Sequence, residues 1–141
     1  MMDKDFIKRK ISLIQEDLVN LPAMAHFSLD EIAQDFMKQA TLERLLERII
    51  NRAIDINRHI ISEMKTEKIS SHKDYRDTFL ILAELGVFQI DFAKEISKSI
   101  GTRNVIAHEY DKADPGLIYN SIGDCLRDYN EYCRSVLEFI K

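Results

Sequence analysis

One segment in the C-terminal third of the chain concentrates side chains that can act on a phosphate group. It runs from Arg103 to Tyr110 and holds an arginine, an asparagine, a histidine and a tyrosine. Histidine can donate or accept a proton near neutral pH, and arginine can bind a phosphate through two hydrogen bonds. If the segment is helical, Asn104 and His108 share a face, so Asn104 can orient the imidazole while Arg103 reaches round to it. The segment therefore predicts a site for acid–base chemistry beside a bound anion.

Each of these residues also has an ordinary structural interpretation. A lone histidine in a helical protein is most often a surface residue or a hydrogen-bonded structural one. The other histidines, for which we keep that interpretation, are His26, His59 and His72. By itself, Arg103 would be a solvated cation at a helix end, and Tyr110 would be a half-buried aromatic residue. The closeness of Arg103 and Asn104 to His108 favours the functional interpretation for that histidine.

The elements that position this segment are predicted to be helices, because apolar residues recur with helical spacing along nearly the whole chain. A first helix has an apolar stripe over residues 7–21 and ends before Pro22. Ser28 begins a capping box. A long helix follows with its stripe over residues 42–64, and we expect it to break or bend near residues 39–41, where the stripe changes phase.

The C-terminal half continues the helical pattern. Its predicted elements are a polar loop over residues 65–73, a helix over 74–85 followed by Gly86, and a helix over 88–100 that stops at Gly101. The last helix begins with Asp114 as N-cap and Pro115 in the first turn, where a missing N–H costs nothing. The pattern as a whole predicts an all-α, up-and-down bundle of four to five helices.

Composition sets the class of protein. The chain has 141 residues, 45% of them apolar and 31% charged, which predicts one globular domain over residues 1–141. We expect no membrane association, since the apolar runs are far shorter than the roughly 20 residues that cross a bilayer. The N-terminus lacks the features of a signal peptide, so the expected location is the cytoplasm.

The charge distribution is informative about binding partners. A net charge of −4 argues against a protein that coats nucleic acid non-specifically, although a small local basic patch is compatible with it. Arginines in the middle of the chain alternate with acidic residues, which is typical of a solvated, salt-bridged helix face. An alternative is that some of them line a groove for RNA. These arginines are Arg44, Arg48, Arg52 and Arg58.

The cysteines and histidines do not have the spacing of a metal site. Cys125 and Cys133 are eight residues apart on one predicted helix, about 12 Å along its axis, which is too far for a disulfide within the helix. We expect both thiols to be reduced and at least partly buried. No Cys/His pattern matches a zinc site, and the segment around His108 has no paired carboxylates at the spacing of metal ligands. The sequence therefore predicts no metal and no cofactor.

The predicted helices over 74–85 and 88–100 are apolar on more than one face, which indicates burial on two sides. Either the bundle surrounds them or a second copy of the chain does. We expect a homodimer.

The polar segment, read as Arg103-Asn104-x-x-x-His108-x-Tyr110, resembles the Arg-x4–6-His motif of the HEPN superfamily. Within that superfamily it is similar to the HepT-like branch, in which the motif is followed by x-Tyr. The chain length, the helical pattern and a glycine shortly before the arginine fit as well. The resemblance covers nearly the whole chain as a helix pattern, and about ten residues carry its specific part.

This resemblance implies a homodimeric, metal-independent endoribonuclease that acts as the toxin of a type VII-like toxin–antitoxin system. It implies that Arg103 and His108 are catalytic, with Asn104 supporting them. It also implies an antitoxin, a small MNT-type nucleotidyltransferase that adds adenylate to Tyr110. Two alternatives stay open: a non-catalytic module that presents a substrate to a nucleotidyltransferase, and a purely structural helical dimer.

Overall fold

The computed structural model describes residues 1–64, 74–108 and 114–141, and these residues form helices and no strand. The helices are α1 (Lys4–Asn20), α2 (Pro22–Ala25), α3 (Leu29–Ala33), α4 (Phe36–Met64), α5 (Tyr75–Glu84), α6 (Ile90–Ser97), α7 (Ser99–His108) and α8 (Pro115–Phe139). The predicted all-α fold is confirmed. The described residues contain eight helical segments, more than the four to five predicted, since they include the short helices α2 and α3 and the separate helix α7. The loop predicted over residues 65–73 lies outside the described residues.

The N-terminal half follows the predicted signals closely. Pro22 separates α1 from the short α2, and Ser28 caps α3 through a capping box with Glu31. The break expected near residues 39–41 is absent, since α4 runs through them as one helix of 29 residues. The hydroxyl of Thr41 donates to the carbonyl of Met37 at 2.8 Å, a bond made without leaving the helix.

The helix predicted to stop at Gly101 instead ends earlier, and this prediction was wrong. α6 ends at Ser97, and α7 begins at Ser99 and continues through Gly101. At the junction each serine hydroxyl donates to the carbonyl three residues before it, at 2.8 Å for Ser97 and 2.7 Å for Ser99. The serine pair therefore satisfies helix-end carbonyls where the chain changes direction, and Gly101 lies inside the next helix.

The glycine after α5 and the cap of α8 behave as predicted. Gly86 has a φ of 88°, the left-handed conformation that a helix C′ residue adopts and that glycine allows without a steric penalty. Asp114 accepts a hydrogen bond from the backbone N–H of Gly116 at 2.8 Å, with Pro115 in the first turn of α8. Cys125 and Cys133 are free and buried, and burial raises the pKa of each thiol to about 12.

A buried polar network joins α4, α5 and α8. Asn57 is fully buried; its amide nitrogen donates to Thr78 Oγ1 at 3.1 Å, and its oxygen accepts from the Tyr132 hydroxyl at 2.6 Å. The Tyr132 hydroxyl also approaches the carbonyl of Ala53 at 3.1 Å, and the Thr78 hydroxyl donates to the carbonyl of Tyr75 at 2.6 Å. Since burying a polar group without a partner is costly, these bonds fix how the three helices meet.

The apolar residues of α5 and α6 are largely covered within one chain. Phe79 and Leu82 are fully buried, whereas Phe88 and Phe92 are half-buried and pack against each other with ring centroids 5.0 Å apart. Packing within one chain therefore accounts for much of the apolar surface that these helices have on more than one face. The homodimer stays a prediction. In the described ranges, no helix combines the length and the apolar character that spanning a bilayer requires.

We predict that Tyr132→Phe destabilises the fold by about 1–3 kcal/mol, because it leaves the buried Asn57 oxygen without its donor. The free energy of unfolding from urea titration measures this. Tyr75→Phe is the matched control: its ring is half-buried, and its hydroxyl makes no hydrogen bond within the described residues, so we expect a change below about 0.5 kcal/mol. Equal effects of the two variants would contradict the role given to the network.

Candidate functional site

The polar segment lies at the edge of an open depression between the start of α5 and one face of α7. Its volume is about 600 Å³. The described residues that line it are Asp74, Tyr75, Arg76, Ile100, Arg103, Asn104 and His108. Three of the residues singled out in the sequence thus share one depression. The fourth, Tyr110, lies outside the described residues.

Arg103 is held on three sides by residues from three helices. Its Nε donates to the amide oxygen of Asn51 on α4 at 2.9 Å, and its Nη1 donates to the amide oxygen of Asn104 at 3.1 Å. Its guanidinium carbon lies 5.2 Å from the ring centroid of Tyr75 on α5, within cation–π range. These contacts restrict the rotamers of a side chain that is otherwise flexible. The guanidinium is therefore positioned before any ligand arrives.

The partners of Arg103 are all uncharged. Both hydrogen-bond acceptors are amide oxygens, and no carboxylate of the described residues lies within ion-pair distance of it. Arg52, which is also half-buried, differs, because it contacts the buried carboxylate of Asp17 at 2.8 Å. A guanidinium with neutral partners keeps its full positive charge for an incoming anion. Nη2 of Arg103 has no acceptor among the described residues and is free to bind one.

His108 is the last residue of α7, and its side chain is exposed at the depression. Within the described residues its imidazole makes no hydrogen bond. The structure thus differs from the expectation that Asn104 orients the imidazole, because the Asn104 oxygen accepts from Arg103 instead. Asn104 supports the cation and leaves both nitrogens of His108 accessible to a ligand.

Two residues of this arrangement are not evident from the sequence. Asn51 is half-buried on α4, and its only sequence signal is an amide at the flank of an apolar stripe. Tyr75 reads as an ordinary aromatic residue in the first turn of α5. Both reach Arg103 only through tertiary packing, so residue spacing along the chain carries no sign of either contact.

The histidines outside the polar segment are interpreted as structural, and His59 has such a role. His59 accepts a hydrogen bond from the backbone N–H of Asp3 at 3.0 Å through Nε2, and its ring packs against Phe6. His26 is exposed at the end of α2, and His72 lies outside the described residues.

Three of the four arginines on α4 are paired with carboxylates, and the exposed Arg58 has no ion pair within the described residues. Arg48 and Arg52 both contact the carboxylate of Asp17, and Arg44 approaches Glu47 at 3.5 Å. Their charges are therefore largely satisfied inside the protein, which favours the structural interpretation over an RNA groove.

As for metals, the residues in 1–64, 74–108 and 114–141 contain no group of three or more His, Cys, Asp or Glu side chains placed to hold an ion. Independence from metal stays a prediction.

Comparison with known proteins identifies relatives along nearly the whole chain. The family model described as HepT-like, Ribonuclease HepT-like, matches residues 7–136. A tRNA nuclease HepT from Aphanizomenon flos-aquae is 37% identical over 137 residues, covering 95% of this chain and 89% of that protein. An mRNA nuclease HepT from Shewanella oneidensis is 23% identical over 128 residues, covering 91% of this chain and 93% of that protein.

Among solved structures, a tri-AMPylated Shewanella oneidensis HEPN toxin in complex with an MNT antitoxin has the same fold. Its TM-score is 0.82 at 22% identity, with 95% of this chain and 98% of that chain covered. The HEPN-like architecture expected from the resemblance is thereby confirmed.

We predict that Asn51→Asp keeps the fold but weakens RNA binding at least about tenfold. The new carboxylate can still accept from Arg103 Nε, so the geometry is retained, but its charge competes with a phosphate for the same guanidinium. Fluorescence anisotropy with a labelled single-stranded RNA, together with the melting temperature, separates the two effects. Asn130→Asp, the same charge change on the exposed face of α8, is the control and should bind like the parent protein. Unchanged affinity in Asn51→Asp would show that the neutrality of this partner is irrelevant.

Proposed function

The chain belongs to the ribonuclease HepT-like family, and from this premise we propose that it is a toxin that cleaves RNA at a site shared by two copies of the chain. Family membership and the likeness to two HepT nucleases make it an endoribonuclease. The observation that carries the proposal is the placement of Arg103: its charge is unpaired, its position is fixed, and it shares a depression with His108.

Metal-independent cleavage is the chemistry that suits these side chains. RNA contains its own nucleophile, the 2′-hydroxyl, so cleavage needs a base for that hydroxyl, an acid for the leaving 5′-oxygen and a cation for the charge on the phosphorus centre. The oxygen–phosphorus bond to the 2′-oxygen forms as the bond to the 5′-oxygen breaks, which leaves a 2′,3′-cyclic phosphate. His108 supplies proton transfer, and Arg103 stabilises the phosphorane.

A homodimer supplies the second acid–base group. Within the described residues, one chain offers one histidine at the depression, whereas a two-fold assembly can bring two such histidines and two arginines to one phosphate. Phe36 and Met37 on α4 are exposed by 81% and 70%, and Phe36 lines a groove that extends to Ile106 on α7. An apolar surface beside the site helix supports contact with a second copy at this place.

The substrate class that we propose is tRNA. Of the two curated relatives described above, the tRNA nuclease is the more similar, at 37% identity against 23% for the mRNA nuclease. Both RNA classes belong in the assay, and preferential cleavage of mRNA would revise this choice while leaving the ribonuclease assignment in place. The place of action that we propose is the cytoplasm.

An MNT-type nucleotidyltransferase is the proposed antitoxin, and Tyr110 is the proposed target. The phenol oxygen attacks the α-phosphate of ATP, pyrophosphate leaves, and the phenol proton passes to solvent. Each adenylate adds a negative charge two residues from His108, where it competes with RNA for Arg103 and fills the depression. Neutralisation by occupancy requires neither unfolding nor dissociation of the dimer. The AMPylated HEPN toxin with the same fold supports this choice.

We expect His108→Ala and Arg103→Ala each to lower the rate of RNA cleavage by at least about 100-fold, the usual loss for an acid–base or charge-stabilising group. The assay scores fragments of tRNA and mRNA by gel and their ends by mass spectrometry, with EDTA in a parallel sample. EDTA should have no effect. The matched controls are His26→Ala and Arg9→Ala, two exposed residues outside the depression.

Mixing the two inactive variants tests the shared site. A mixed dimer contains one intact histidine and one intact arginine, so some activity should return if one histidine supports turnover. Full activity of His108→Ala would refute acid–base catalysis by this residue. A ribonuclease-negative wild type that still accepts adenylate would favour the non-catalytic partner of a nucleotidyltransferase.

Tyr110→Phe should retain much of the nuclease activity and escape the antitoxin, because the hydroxyl is needed for modification but not as acid or base. Both proteins are incubated with the cognate nucleotidyltransferase and ATP, and then intact mass and residual cleavage are measured. Tyr119→Phe is the control variant. It removes the hydroxyl of another tyrosine, Tyr119, which is half-buried on α8, and it should gain adenylate like the wild type. If Tyr110→Phe gains the same mass and loses its activity equally, another residue is modified.

A further inference from the structure

We propose that Arg76 is a second phosphate-binding residue of the same depression, which holds an RNA phosphate next to the one bound by Arg103. This inference rests on the proposed function, since it adds a substrate contact to the same site. It concerns affinity and placement of the RNA, and leaves the chemical step to Arg103 and His108.

The first observation is that Arg76 has no partner among the residues that the structure describes. It lies in the first turn of α5, lines the depression together with Arg103, and is exposed. Its guanidinium makes no hydrogen bond or ion pair within the described residues. Of the nine arginines, all at described positions, five have a carboxylate partner there, including Arg48, Arg127 and Arg134. Arg9 and Arg58 have none either, but neither lines the depression. An unpaired guanidinium at the edge of a phosphate site is available to a ligand that carries several phosphates.

The second observation is the close approach of Arg76 to Gly101 on α7. A Cβ atom at Gly101 would lie 3.3 Å from Nη2 of Arg76, which is closer than most such contacts. The missing side chain at Gly101 therefore provides the space in which the guanidinium lies along α7. Gly101 and Arg103 belong to the same turn of α7, and both arginines line the same depression.

The third observation is the charge balance of the depression. Asp74 is the one carboxylate among its described lining residues. Its Oδ1 caps α5 by accepting from the backbone N–H of Asp77 at 3.0 Å, so the positive end of the helix dipole offsets its charge. Among the described lining residues, two guanidinium groups therefore outweigh one capped carboxylate, in a protein whose net charge is −4. A local positive charge on a negatively charged protein attracts and orients the phosphate backbone of a nucleic acid.

Arg103 and Arg76 differ in how firmly the protein holds their side chains, and this difference sets their roles. Arg103 is held by Asn51, Asn104 and Tyr75, and so presents a fixed charge to the reacting phosphate. Arg76 is exposed and adjusts to the position of a neighbouring phosphate. Contacts of the second kind set the register of the RNA and add a salt-dependent component to its affinity.

The test compares Arg76→Gln with the parent protein in two assays. In the His108→Ala background, where RNA stays intact, the Kd of a labelled single-stranded RNA is measured over a series of salt concentrations. We expect Kd to rise several-fold and the slope of log K against log salt to shrink by about 0.7, the value for one phosphate contact on a single strand. In the background with His108 intact, KM should rise while kcat changes less than about twofold. Arg9→Gln, an exposed arginine on α1, is the charge-matched control.

A second variant, Gly101→Ala, tests the same contact without removing a charge. Its methyl group requires the Arg76 guanidinium to shift by a few tenths of an ångström, which the exposed side chain can do, so RNA affinity should change much less than in Arg76→Gln. Its melting temperature should stay the same or rise, because alanine is favoured over glycine inside a helix.

The outcomes distinguish this inference from the proposed function. If wild-type protein cleaves RNA but Arg76→Gln keeps the parent Kd, KM and salt slope, Arg76 is not a substrate contact and the proposed function stands. A fall in kcat with unchanged KM would also overturn the inference, because it would place Arg76 in the chemical step. If wild-type protein cleaves no RNA, the proposed function and this inference fail together.

Discussion

The buried amide of Asn57 is the constraint on which the rest of the arrangement depends. An amide with no access to water must find its partners inside the protein, and Asn57 finds them on two other helices, at Thr78 on α5 and Tyr132 on α8. Apolar packing alone allows helices to slide or rotate with little change in buried area. Directional bonds remove that freedom and fix α4, α5 and α8 in one relation. Their contribution is therefore specificity of packing as much as stability.

The geometry of the site follows from this arrangement of α4, α5 and α8. The Thr78 hydroxyl continues the network to the carbonyl of Tyr75, whose ring lies against Arg103. Asn51, which accepts from Arg103 Nε, stands on α4 less than two turns before Asn57. The two residues that hold the guanidinium from outside α7 are thus attached to the helices that the buried network positions. A core interaction remote from the ligand thereby determines where the charge of the site stands.

The sequence predicts the parts of this protein that depend on local signals, and it does not predict the parts that depend on tertiary contacts. Helical periodicity, the capping box at Ser28 and the left-handed Gly86 are local, and each appears as predicted. The stop expected at Gly101 was wrong: α6 already ends at Ser97, where two serine hydroxyls bond its last carbonyls, and Gly101 lies inside α7. The chemical segment itself is contiguous and was recognisable, whereas Asn51 belongs to the site only through a contact across 52 residues of chain.

Arg103 and His108 differ in how firmly the protein holds them, and this difference has a consequence for how activity responds to temperature. The His108 side chain is exposed and makes no hydrogen bond within the described residues, so little restricts its rotamers. Arg103 is tied to α4 and α5 by a hydrogen bond and a ring contact. Heating should therefore disturb the placement of the imidazole before that of the guanidinium. If the two residues act together as proposed, cleavage should decline before the bundle melts as a whole.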